Sequence, residues 1–269
     1  MTGTLNPRGL YVDELSSDAG EGAPLVVLVH GSMDRHTSFA RIRSRLMVTC
    51  DVVSYDRRGY YLSRDADPPA KGIADHVDDL EAVVADRRCT VFGHSYGGDV
   101  ALALAERRPD LVAVALAYEP PLAWMEGWPD QGEQPKAFRG VTPEEAAGAF
   151  LRRMLGDKYD RLPLHTREDV VRDGRALVAE LTAIRIDPPP FDPSRITVPV
   201  MIVCGGESNE RHRMGTAWLT DQIPGATLHV VEGARHGGHQ SHPAEVSRLI
   251  LGALRLAADP TAERPPALV

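Results

Sequence analysis

A chain of 269 residues, 43% hydrophobic and 25% charged, can bury one large core or a core with an inserted subdomain, and it shows no internal repeat. Its formal net charge of -8, with Arg and Lys scattered among Asp and Glu, argues against a nucleic-acid partner and against an anionic membrane surface. Three cysteines, Cys50, Cys89 and Cys204, give no closed disulfide framework and read as buried free thiols. No apolar leader follows Met1 and no run is long enough to span a bilayer, so the expected location is the cytoplasm.

In chain order, residues 10–15 read as an antiparallel edge strand. Apolar, β-branched runs follow at 25–29, 51–55, 90–92, 112–118, 200–203 and 227–231. Continuous rather than alternating runs are expected of strands covered on both faces, and hence of a mainly parallel sheet. Helices are expected between them at 73–86, 97–108, 214–222 and 243–257, which makes the class α/β. Strand and helix stop alternating over 120–195, where Thr142-Pro-Glu-Glu145 signals a helix start and a second helix is expected at about 167–184. The expected organisation is therefore a core of 1–119 and 196–257, a helical lid of 120–195, and a flexible tail of 258–269. Trp124, Met125, Trp128 and Met154, with Phe138 and Phe150, make the lid the most aromatic and soft-apolar part of the chain and the expected wall of an apolar substrate pocket.

The motif with the most chemistry in it is Gly93-His94-Ser95-Tyr96-Gly97, which follows a strand and opens a helix. A sharp strand-to-helix turn lifts a serine hydroxyl above the sheet edge and leaves no room for side chains on either flank, so the flanking glycines are a steric requirement. Ser95 is the predicted nucleophile. A serine hydroxyl needs a general base, and His236, in the loop after the last strand, falls on the same edge of the sheet; His239 and His242 are nearby alternatives. An oxyanion hole needs two amides. Tyr96 supplies one by its place after the nucleophile, and the loop His30-Gly31-Ser32-Met33 supplies the other, assigned to Ser32 with Gly31 and Met33 as alternatives.

Ser95, the His30-Gly31 turn, Asp56-Arg-Arg-Gly59 and the late His236 occur in an order that resembles the α/β-hydrolase superfamily over nearly the whole chain. The resemblance implies an eight-stranded, mostly parallel sheet with helices on both faces, a cap inserted after the sixth strand, and a Ser–acid–His triad with no cofactor. The chain departs from that pattern at the acid. Most members with this layout place an aspartate after the seventh strand, where this chain has Ser208 and Asn209, and neither can carry a charge to stabilise an imidazolium. Glu119 at the end of the sixth strand and Glu207 in the same loop are the candidates, with Glu119 preferred because a strand terminus faces the active edge. Its Glu-x-Pro setting and its distance from Ser95 are similar to those in the zearalenone-type lactone hydrolases.

The expected activity is hydrolysis of a carboxylic ester or lactone of an apolar small molecule through Ser95, His236 and Glu119. The same scaffold would also serve C–C bond hydrolysis, a biosynthetic acyl transfer or cyclisation, or a non-catalytic small-molecule receptor. Asp56 and Arg57 read as a turn held by side-chain to backbone bonds, and His94 as a packed neighbour of the nucleophile. His212 and Glu210 lack a metal-ligand spacing, and no metal is expected. The oligomeric state is left open.

Overall fold

The computed structural model describes residues 3–258. Eight strands, β1 (Thr4–Leu5), β2 (Tyr11–Leu15), β3 (Leu25–Val29), β4 (Asp51–Tyr55), β5 (Cys89–His94), β6 (Val112–Tyr118), β7 (Val200–Gly205) and β8 (Thr227–Val231), form one sheet in the order β1-β2-β4-β3-β5-β6-β7-β8. β2 runs antiparallel to both β1 and β4, and every pairing from β4 to β8 is parallel. The segment expected to be an edge strand is therefore second from the edge, because the two residues of β1 pair outside it. So short a strand carries no readable sequence period.

The continuous apolar runs divide by alternation. Val27, Val29, Val91, Ala115, Ala117 and Ile202 face one core, shared with α2 (Ile73–Val84) and α3 (Tyr96–Arg107). Val26, Leu28, Phe92, Leu116, Met201 and Val203 face the other, built with α1 (Ala40–Leu46) and α10 (Pro243–Ala258). Successive strand side chains point to opposite faces, so a strand with helices on both sides needs an apolar residue at every position.

Between β6 and β7 lie α4 (Pro143–Leu155), α5 (Asp157–Asp160), α6 (Leu164–Val171) and α7 (Gly174–Ile186). α4 starts at the expected signal, with Glu145 N–H donating to Thr142 Oγ1 at 3.2 Å and Thr142 N–H to Glu145 Oε2 at 2.7 Å. The single helix expected at 167–184 is two. It breaks at Asp173, whose buried carboxylate takes Arg64 Nε at 2.5 Å and Tyr61 N–H at 3.2 Å. The next residue, Gly174, lies so close to the Pro143 carbonyl that a Cβ would overlap it. α8 (Glu210–Gln222) begins four residues before the expected 214, because Asn209 caps it by accepting from His212 N–H at 3.0 Å. α9 (Gly238–Ser241) and α1 are short helices outside the expected set. Of the expected tail, only Ala258, the last residue of α10, falls within the described residues.

The strand order reverses between β3 and β5, and crevices in open α/β sheets form at the carboxyl ends of strands beside such a reversal. The turn after β5 stands at this point. A Cβ on Gly93 would overlap the Gly97 carbonyl, and one on Gly97 would overlap the Val29 carbonyl, so strand, helix and neighbouring strand approach to backbone contact. Gly93→Ala should cost at least about 2 kcal/mol in urea unfolding, as overpacking against backbone does. Gly20→Ala, a position with positive φ and open surroundings, should cost about 1 kcal/mol. Equal losses would show that crowding at the turn is not the constraint.

Candidate active site

Ser95 sits at φ 52°, ψ -127°, a left-handed conformation costing a non-glycine residue about 1–3 kcal/mol, held by Ser95 N–H donating to the Tyr118 carbonyl at 2.8 Å. A cavity of about 440 Å³ opens above it. Ser95, His236 and Ser32 all line that cavity, although no hydrogen bond joins Ser95 to His236. The His30–Ser32 loop runs directly against the turn, for a Cβ on Gly31 would lie 2.9 Å from Ser95 Cβ. Tyr96 N–H is the first amide of α3 and has no partner within the helix.

His236 is held from three sides. Its Nδ1 lies 2.7 Å from Glu119 Oε2; a carboxylate only accepts, so Nδ1 carries the proton and Nε2 is left as the basic nitrogen. His94 Nε2 donates to the His236 carbonyl at 2.8 Å, and Tyr118 OH donates to the Arg235 carbonyl at 2.8 Å, so β5 and β6 both anchor the loop that carries the imidazole. His94 is thus a packed neighbour, neutral with its proton on Nε2; burial drives its pKa well below the ordinary value.

Glu119 is fully buried and is the residue immediately after β6, with φ 46°. Its Oε1 accepts from Gly205 N–H at 2.7 Å and Ser208 Oγ at 2.5 Å, and its Oε2 faces both His236 and His212 Nδ1, the latter at 2.9 Å but off the direction of a good hydrogen bond. Burial alone would raise this carboxyl, yet the close His212 and His236 imidazoles outweigh it and hold the group well below the usual carboxylate range. Glu207, the alternative acid, has a side chain 58% exposed and lies 3.4 Å from Arg235. Of the residues at the usual aspartate position, Ser208 donates to Glu119 and Asn209 caps α8.

His212 is the residue that sequence spacing gave no reason to choose. It lies on α8, lines the cavity, and sits tilted against His236 with ring centroids 4.3 Å apart at 30°. Glu119, His212 and His236 could together offer a small cation three donors within 4.8 Å of one another, and so could Asp34, His94 and His239 behind them. His239, an alternative base, is buried against Asp34 at 3.2 Å, and His242 bonds with Ser241 at 2.8 Å.

On the other side of Ser95 lies a second buried carboxylate. Glu180 of α7 takes Arg57 on both oxygens, Ser32 Oγ at 2.8 Å and Tyr60 OH at 2.7 Å. Arg57 also donates from Nε to the His30 carbonyl at 2.8 Å and from its backbone N–H to His30 Nε2 at 2.8 Å. The turn reading fits Asp56, which accepts from His36 N–H at 2.8 Å, but Arg57 is a buried ion-pair partner of the insertion. The pairing lies 123 residues away and leaves no local trace.

Of the expected pocket residues, Trp128 and Met154 line the cavity with Phe150, Leu181 and Ile184. Trp124 and Met125 pack against the core instead, Trp124 edge-on to Phe191 at 5.3 Å.

With this geometry in hand, a family model described as the alpha/beta hydrolase family matches residues 26–249. The chain belongs to the alpha/beta hydrolase family. Among curated relatives, the uncharacterized hydrolase YraK of Bacillus subtilis is 32% identical over 122 residues, a match spanning 44% of this chain and 44% of that protein. The AB hydrolase superfamily protein YfhM of Bacillus subtilis is 28% identical over 93% of this chain and 96% of its own length. Among solved structures, Est816, described as an N-acyl homoserine lactone degrading enzyme, superposes with TM-score 0.70 at 23% identity, covering 92% of this chain and 98% of that one. No helix among the described residues is long and apolar enough to cross a membrane.

Two expectations follow from these contacts. Burial lowers the His236 pKa below 6.5; Glu119 opposes the shift and His212 adds to it. Nitrogen-15 NMR should therefore find His236 titrating below 6.5, and His212→Gln should move that titration upward by removing a competing cation; an unchanged midpoint would disprove the coupling. Glu180→Ala would strand the Arg57 charge and should cost about 3–5 kcal/mol in urea unfolding, with the double replacement Arg57→Met and Glu180→Leu recovering most of it. If the single and double variants are equally unstable, the ion pair is not what ties α7 to the body.

Proposed function

We propose that this protein is a serine hydrolase that cleaves a carboxylic ester or lactone, with Ser95 as nucleophile, His236 as general base and Glu119 as the acid of the triad. The observation that carries the reading is the convergence, on one cavity, of a serine on a left-handed strand-to-helix turn and an imidazole whose Nδ1–H is donated to a buried carboxylate. A carboxylate there fixes the tautomer and stabilises the imidazolium that forms during reaction.

Substrate binding brings the reacting carbonyl over Ser95, and apo hydrogen bonds of this kind commonly tighten at that point. As Oγ attacks the carbonyl carbon, its proton passes to His236 Nε2, and the tetrahedral oxyanion is met by the amide N–H groups of Tyr96 and Ser32. The imidazolium gives the proton to the leaving alkoxide, which departs and leaves an acyl-serine. Water then loses a proton to His236 as it attacks the acyl carbon, and Ser95 leaves with that proton. The Glu180–Ser32 bond supports this assignment because it holds the oxyanion loop from above while Arg57 holds His30 from within. The helices between β6 and β7 act as the lid, and Trp128, Phe150, Met154, Leu181 and Ile184 take the apolar part of the acyl group. Three buried free thiols suit a reducing, cytoplasmic setting.

Ser95→Ala should abolish labelling by a neutral fluorophosphonate and hydrolysis of 4-nitrophenyl esters while leaving the unfolding midpoint within a few degrees. Glu119→Gln should lower kcat by about 10³ to 10⁴-fold, as loss of the charged orienting partner does. Undiminished labelling of the Ser95→Ala protein would refute the mechanism.

A further inference from the structure

The cavity wall carries a charge the apolar reading of the substrate does not use. Arg153 of α4, Arg185 of α7 and Arg211 in the first turn of α8 all line it, two from the insertion and one from the body. None of the three lies within ion-pair distance of a carboxylate among the described residues. Arg211 instead lies over the Trp128 ring at 5.0 Å, Arg153 over the Phe150 ring at 5.4 Å, and Arg185, half-buried, donates to the Leu181 carbonyl and to the Pro129 carbonyl at 3.3 Å. The acidic side chain lining the same cavity, Glu207, faces Arg235 at 3.4 Å. With Arg153, Arg185, Arg211 and Arg235 set against Glu207, the lining of the cavity is net positive in a chain whose overall charge is -8.

Three guanidiniums converging from three helices repel one another, and the arrangement persists only because aromatic faces and backbone carbonyls hold each in place. Burial pushes the Arg185 pKa down, opposed by the Asp130 charge and reinforced by Arg211 and Arg153, and burial with Arg153 does the same to Arg211. An oxyanion placed among them would relieve that repulsion and accept several N–H bonds in planar, fork-like geometry. A neutral apolar substrate would leave it in place.

Resting on the hydrolase reading above, we propose that the natural substrate is amphiphilic: an ester or lactone whose acyl part ends in a carboxylate or similar oxyanion, received by Arg153, Arg185 and Arg211, with the apolar stem between that group and the reacting carbonyl lying along Trp128, Phe150 and Ile184. The charge selects the substrate and steers its approach, and the apolar wall sets the distance from anion to Ser95.

The test compares mono-4-nitrophenyl esters of dicarboxylic acids of four to eight carbons with neutral 4-nitrophenyl alkanoates of equal length. The expected result is a kcat/KM advantage for the acid-tailed ester of at least about tenfold at one or two chain lengths, shrinking in 0.5 M salt. Arg185→Gln and Arg211→Gln should each reduce the ratio of acid-tailed to neutral kcat/KM by about tenfold, and Arg185→Lys, which keeps the charge, should restore most of it. A ratio near one at every length, or a ratio unmoved by the glutamine variants, overturns the proposal. Fluorophosphonate labelling run in parallel separates the two failures: labelled Ser95 with no acid preference rejects the anionic substrate alone, whereas absent labelling rejects the hydrolase reading. In that second case calorimetric titration with adipate decides the site directly, since binding by the unaltered protein that weakens in Arg185→Gln upholds it and no binding ends it.

Discussion

The Glu119 carboxylate is the constraint on which the arrangement depends. It sits just past β6 in a left-handed backbone conformation, with no exposed surface, and such a charge is tolerated only if its oxygens are met by donors. Its donors come from two parts of the chain, the end of β7 and its loop (Gly205 and Ser208) and His236 beyond β8, with His212 of α8 beside them. Satisfying one buried charge thus brings three strand ends together, and the position of His236 relative to the β5 turn follows from strand register.

Glu180 plays the corresponding part for the insertion. Reaching down from α7, it draws Arg57, Tyr60 and Ser32 into one polar cluster on the opposite side of Ser95. Burial would raise its carboxyl, but Arg57 and His76 together outweigh that and keep it ionised. Burying such a pair contributes little net stability compared with an apolar packing of equal volume, yet removing either member leaves an unmet charge. The consequence is geometric. The loop His30–Ser32 is gripped by Arg57 through the His30 carbonyl and by Glu180 through the Ser32 hydroxyl, so the floor of the cavity cannot shift without the helices above it. His30 itself, buried and accepting from the Arg57 amide, is pushed down to about 4 and stays neutral.

The cavity that results is two-natured. Its apolar wall comes from Trp128, Phe150, Met154, Leu181 and Ile184, and its rim from arginines of three helices. Aromatic and methionine residues of the insertion announced the first property, although Trp124 and Met125 serve packing while Phe150 faces the cavity. Nothing announced the second, because arginines at positions 153, 185 and 211 are, along the chain, indistinguishable from those on solvated helix faces.

What the sequence determined by itself is whatever local sterics and periodicity dictate. The parallel sheet follows from β-branched runs covered on both faces, the Ser95 turn from glycines whose replacement would collide with backbone, and the start of α4 from a capping pair three residues apart. Where Glu119 lies could be argued too, since a strand's end faces the sheet's active edge. Only the tertiary structure decided which side chains meet across long stretches of chain: His212 beside Glu119, Arg57 on Glu180, Gly174 against Pro143 and so the break between α6 and α7. Those contacts join residues dozens of positions apart, and they are selected by the need to satisfy buried charge and fill volume, requirements that leave no periodic mark on the sequence.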